Sequence, residues 1–191
     1  MELVLLTDRL RLRPTDESDL DLSLEMFTDS DVVEYVCDLM TESEIRNEIP
    51  NWTRRGGNGC IGIWCISDRD SGEKYGTVFL LPMPIDEDDT DYSLVVPGRM
   101  PKAEIEIGFE LKRSSWGKGY ATEACKRLLQ FAFEETPLNE VVASFYEENI
   151  ASRNVLEKSG LFDRGRMRCY GEDSPNYRIT RNEWMESQQN L

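Results

Sequence analysis

Apolar residues along this chain recur at two spacings, and each change of spacing predicts a change of element. Leu10 and Leu12 alternate with Arg9, Arg11 and Arg13 as in a half-buried strand that Pro14 ends. An acid-rich start then predicts a helix from about Ser18 to Phe27. Thr41 and Glu44 have capping-box spacing ahead of Ile45, Ile49 and Trp52, with Pro50 expected to kink or end that helix. RRGGNG, Arg54 to Gly59, reads as a loop. Two strands, roughly Cys60 to Ser67 and Lys74 to Leu81, flank the turn-rich DRDSGE as a hairpin. Pro82 to Pro101 holds four prolines and an acidic cluster, which predicts a long exposed excursion with at most one short strand.

The second half is more regular. AEIEIGFEL, Ala103 to Leu111, alternates strictly: Ile105, Ile107, Phe109 and Leu111 on one face, Glu104, Glu106, Gly108 and Glu110 on the other. After a glycine turn, Ala121, Ala124, Cys125, Leu128, Leu129 and Ala132 keep the spacing of one buried helix face. EVVASFY, Glu140 to Tyr146, predicts a strand, and Asn149 to Gly160 a helix with Gly160 at its C-terminal cap. Leu161 to Cys169 and Tyr177 to Thr180 close the pattern as a strand pair, followed by a tail helix from about Arg181. No repeat or linker interrupts residues 1–191, so a single domain is expected, long enough to bury roughly 70% of its unfolded surface.

Composition narrows the function. The formal charge is −15, against nucleic-acid binding, which needs clustered Lys and Arg. No apolar run approaches a membrane span and the N-terminus lacks a signal-peptide pattern, so a cytoplasmic protein without a membrane partner is expected. The cysteines Cys37, Cys60, Cys65, Cys125 and Cys169 form no CxxC pair, which suits reduced thiols. Histidine is absent, which removes Ser-His-Asp and Cys-His nucleophiles, His-based zinc sites and the commonest general base. No metal is expected.

The glycine turn stands out against this acidity. From Glu110 to Arg127 the local charge is +3, leaving −18 for the remainder. Gly117 and Gly119 bare the start of a helix, where unpaired N–H groups and the dipole favour an anion, with Lys118 between them. The Walker pattern is absent, and GxGxxG fails because Thr122 holds the third glycine position.

WGKGYATEA (Trp116 to Ala124), ENIASRNVLEKSGL (Glu148 to Leu161) and the order strand, glycine turn, helix, strand, helix resemble the GNAT acyltransferases. The nearest branch is that of ribosomal-protein N-terminal acetyltransferases, and the likeness runs from the RLRLRP strand to the YRITRNEW ending. Trp116 departs from the Gln or Arg usual in the superfamily turn, as is common in that branch. The resemblance implies an α/β (α+β) fold: a mixed, mostly antiparallel sheet of six to seven strands with a V-shaped splay, flanked by about four helices. It implies acetyl-CoA as cosubstrate, with pantetheine beside Phe109, Glu110 and Leu111 and pyrophosphate on the turn from Trp116 and Gly117 through Lys118, Gly119, Tyr120 and Ala121 to Thr122. Asn149 and Asn154 are further implied contacts, with helix capping and a plain surface position as their structural alternatives.

Acetyl transfer to an amine needs a neutral nitrogen, a stabilised oxyanion and a proton for the departing thiolate. Glu106 is the first candidate base and Glu104 the second, both on the polar face of the strand beside the implied thioester. A backbone N–H near Phe109 to Leu111 would meet the oxyanion. The family's frequent tyrosine acid is replaced by Leu156, which leaves Ser152 as the candidate to test. Cys125 reads as core, so direct transfer in a ternary complex is expected. The acceptor would be a primary amine, protein N-terminal or small, and the acidic Asp86 to Asp91 loop is a candidate attractor for a cationic one. A catalytically silent CoA-binding domain, a drug- or polyamine-acetylating enzyme and a homodimer all stay open.

Overall fold

The computed structural model describes residues 2–189. Eight strands form one sheet: β1 (Leu5–Leu6), β2 (Leu10–Pro14), β3 (Gly62–Asp68), β4 (Lys74–Pro82), β5 (Ile105–Leu111), β6 (Glu140–Ala143), β7 (Phe162–Cys169) and β8 (Glu172–Thr180), in the order β1-β2-β3-β4-β5-β6-β8-β7. Among the described residues six α-helices accompany it: α1 (Leu20–Phe27), α2 (Ser30–Val33), α3 (Glu42–Trp52), α4 (Tyr120–Glu135), α5 (Ile150–Ser159) and α6 (Arg181–Gln189). The strand and helix counts exceed the sequence expectation because β1 has two residues and α2 four, too few to show a period.

Period two decides which side of the sheet each residue faces. On β3, Trp64 and Ile66 join the core beneath α4, whereas Cys65 between them joins the cluster of Leu22, Met26, Phe27 and Ile45 from α1 and α3. The predicted stripe of α4 is buried throughout, and Trp64 meets Phe131 edge-on at 5.8 Å between ring centroids. Thr41 and Glu44 do form a capping box, and α3 runs two residues past Pro50 before ending. The Pro82–Pro101 excursion holds a short 3-10 turn at Tyr92–Leu94 and one isolated bridge between Val96 and Arg99.

The sheet opens between β5 and β6. All other neighbouring strands pair antiparallel, but β5 and β6 run parallel and meet in register only at Glu106 and Val142. β4 pairs with the whole of β5, from Gly76 opposite Leu111 to Pro82 opposite Ile105. Past Glu106, the edge of β5 facing away from β4 therefore has no ladder partner among the described residues, and the backbone groups on it are left for another acceptor or donor. β6 is three residues shorter than the EVVASFY pattern predicts: Ser144, Phe145 and Tyr146 leave the ladder and turn toward the opening, with Phe145 edge-on to Tyr177 at 5.1 Å.

Candidate active site

A cavity of about 840 Å³, within the range of small-molecule sites, lies where the sheet splays. Phe27 and Trp52, stacked at 4.8 Å, line one side; β4, β5, the β6–α5 connection and the β7–β8 turn complete it. Register places Leu81 opposite Glu106, Phe79 opposite Gly108 and Thr77 opposite Glu110, and all six line the cavity. Gly108 has a specific use here. A Cβ on it would come within 2.1 Å of Phe79 Cζ, so the bare glycine lets the Phe79 ring lie across β5 between the two carboxylates.

Glu106 is buried, at 4% exposure. Burial, which disfavours the charged form, pushes its carboxyl up to about 8; the hydrogen bond donated by the Tyr170 hydroxyl pulls down, and Asp89 and Glu110 push up. Burial likewise pushes Glu110 up to about 7, against a 3.3 Å hydrogen bond donated by Thr77 Oγ1. The wall also carries Glu48, Asp88, Asp89 and Glu172, and among the described residues no lysine or arginine lines it. Such a cavity favours a cationic guest.

Glu104 is not brought to this cavity. It precedes β5, is exposed, and pairs with Arg178 at 3.0 Å, a guanidinium that also holds Glu140. Ser152 and Asn149 do line it, and Asn149 also caps α5 by accepting from the Ser152 N–H at 3.0 Å. Asn154 is exposed on α5 and outside the wall. Phe109 and Glu110 line the cavity, whereas the Leu111 carbonyl accepts from Trp116 Nε1 at 2.7 Å, so the indole is tied to the end of β5.

The glycine turn continues from that end of β5, outside the cavity wall. Gly117 and Gly119 have φ of 71° and 81°, left-handed values that suit glycine, and among the described residues nothing beyond its own chain neighbours lies within 4 Å of where a Gly117 Cβ would stand. Gly119 is the N-cap of α4 and offers no capping side chain, so N–H groups of Tyr120, Ala121 and Thr122 at the first turn lack an intrahelical partner. Arg9 fixes this entrance from β2's side. Its guanidinium donates to the Lys118 carbonyl at 3.0 Å, pairs with Glu123 at 2.6 Å and lies 4.9 Å over the Tyr120 ring, which itself stacks on Tyr75 at 4.3 Å. An uncapped helix start, open glycines and an unpaired strand edge fit a pyrophosphate with an extended amide-bearing arm.

Tyr170 was not singled out in the sequence. It sits at the β7–β8 turn with φ 52°, followed by Gly171 at φ 73°. The available signal was two strand-like runs around a dipeptide ending in Gly, but a tyrosine is a poor match to that turn.

Known proteins share this architecture. The model of the acetyltransferase (GNAT) domain family matches residues 9–161. An uncharacterized protein of Bacillus subtilis, YkkB, is 31% identical over 159 residues, 82% of this chain and 84% of that protein. The FsC-acetyl coenzyme A-N(2)-transacetylase of Aspergillus fumigatus is 28% identical over 192 residues, 95% of this chain and 78% of that one. A GNAT-family acetyltransferase from Bacillus anthracis superposes with a TM-score of 0.73 at 22% identity, over 94% of this chain and 99% of that chain. The chain belongs to the GNAT acetyltransferase family. It is an N-acetyltransferase of that family, and the mostly antiparallel, splayed sheet is the family's fold.

Proposed function

We propose that this enzyme moves the acetyl group of acetyl-CoA to a cationic primary amine by direct attack in a ternary complex, with Glu106 as general base. The observation that carries the reading is Glu106 itself: a buried carboxyl at the β5–β6 opening, pushed up to about 8 by its burial, in a cavity walled by acids. Acetyl-CoA, when bound, supplies the acetyl group as a reactive thioester. The Gly117 to Thr122 segment would hold its pyrophosphate and the free edge of β5 its amide-bearing arm.

An amine with a pKa near ~10.4 costs about 4 to 5 kcal/mol to neutralise at pH 7, and one near ~8 about 1. A carboxylate that titrates near pH 8 is a stronger base than an ordinary glutamate, so it takes the ammonium proton at smaller cost. Glu48, Asp88 and Asp89 on the wall supply the charge that draws the ammonium in. Direct transfer suits the thiols. Cys125 is fully buried in α4 with its thiol pushed up by burial, and Cys37 on the cavity rim is pushed up to about 11 by partial desolvation and then by Glu110, Asp89 and Asp38.

Steady-state assays of acetyl-CoA consumption across a panel of monoamines, polyamines and N-terminal peptides test the reading. The expected kcat/KM rises with pH through about 8, and Glu106→Gln lowers it at least 100-fold with the acetyl-CoA KM little changed. A Glu106→Gln enzyme with undiminished kcat/KM sinks the assignment of the base.

A further inference from the structure

We propose that Tyr170 is a positioning residue for Glu106, delivered to the cavity by the tip of the β7–β8 hairpin so that its phenol fixes the carboxylate and supports its charge. Its catalytic half rests on the reading of Glu106 as base.

The turn is built for delivery. Tyr170 takes a left-handed conformation, φ 52°, that is unfavourable for a bulky residue and that Gly or Asn would adopt at less cost. Something must hold it there, and the loop after β4 does. The Tyr170 N–H donates to the Pro84 carbonyl at 3.3 Å, the Gly171 N–H to the Ile85 carbonyl at 2.9 Å, and Arg168 pairs with Asp86 at 2.6 Å. Thus the hairpin tip is clasped to the start of the acidic excursion, and the phenol projects inward to donate to Glu106 Oε1 across 64 residues of chain.

Glu106 needs that donor. Around it stand Glu110 on β5, Asp89 and Tyr92 from the excursion, Cys169 and Tyr170 from the hairpin. The charged members of that set are acids that oppose ionisation, and the phenol is the group that favours it. A buried carboxylate without a donor would be forced neutral or swung out of line. Tyr170 stays protonated throughout, because burial and then the Glu106 charge push its own titration far up. It is therefore a fixed donor, unable to take the proton that Glu106 accepts.

The test reads the carboxyl directly, with or without turnover. Protein labelled with 13C at glutamate side chains is titrated by NMR, the Glu106 resonance being identified by its loss in Glu106→Gln. Tyr170→Phe keeps the ring and the turn, and the expected Glu106 midpoint rises by about one pH unit or more from about 8. A midpoint that stays or falls overturns the proposal. In the same variant the acid limb of kcat/KM is expected to move up by the same amount while the acetyl-CoA KM holds. A shifted midpoint with an unmoved limb would leave the hydrogen bond standing and overturn Glu106 as base, and with it the catalytic half of the proposal.

Discussion

At the scale of single residues, the site stores unfavourable electrostatics. Glu106 and Glu110 bind protons more tightly folded than unfolded, because burial raises both, to about 8 and about 7. Between the unfolded carboxyl range near ~4.3 and these values the native state therefore holds the extra protons, so stability falls as pH rises across that window and levels off above it. Glu106→Gln removes one of the two groups. Its melting temperature is expected to exceed that of the unsubstituted protein at pH 9 and to match it near pH 4.5, read by thermal scans across pH. A gap independent of pH would contradict the burial account. Asp19 is the opposite case: it is also buried, but Arg13 grips it at 2.8 and 2.6 Å and Lys74 at 3.1 Å, and its carboxyl is held below the usual range despite its burial. Two buried acids differ in titration because one has cations and the other a phenol.

At the scale of elements, the paired strands β4 and β5 set the cavity floor through a single small residue. Gly108→Ala drives a methyl into the Phe79 ring, and overpacking of this kind costs about 1–3 kcal/mol. Urea denaturation should show that loss, whereas a neutral result would mean that Phe79 is free to leave β5. β5 and α4 were legible in the sequence because period two and the helical stripe each persist over several residues without interruption. β8 was legible only in its second half. Pro175 argues against a strand, yet β8 begins at Glu172, because Pro175 pairs beside the register shift between Asp163 and Arg166, where a missing N–H is tolerated. Tyr170 was not legible at all. Its conformation contradicts local preference and is imposed by Pro84 and Ile85, which lie far away in sequence.

At the scale of the whole molecule, a charge of −15 is distributed unevenly: acids from several segments converge on the cavity, while the helix entrance of α4 is bare and flanked by Arg9 and Lys118. The sequence separated these two regions by charge, but it could not show that Glu48, Asp88 and Glu172 share one wall, since that depends on how distant loops pack. Nor did alternation alone separate Glu106 from Glu104: both fall on one face by count, and only the start of β5 at Ile105 and the Arg178 ion pair remove Glu104 from the cavity. The two-part site follows from the parallel β5–β6 pair, which meets at one register position and diverges. In the proposed function, binding at the α4 entrance is the step on which all the chemistry depends. The most direct measurement is a calorimetric titration of acetyl-CoA into the protein and into Gly119→Glu, whose side chain would place a carboxylate on the helix start. The account predicts a Kd in the micromolar range that weakens at least tenfold in the variant. No binding by the unsubstituted protein, or equal binding by both, would contradict it.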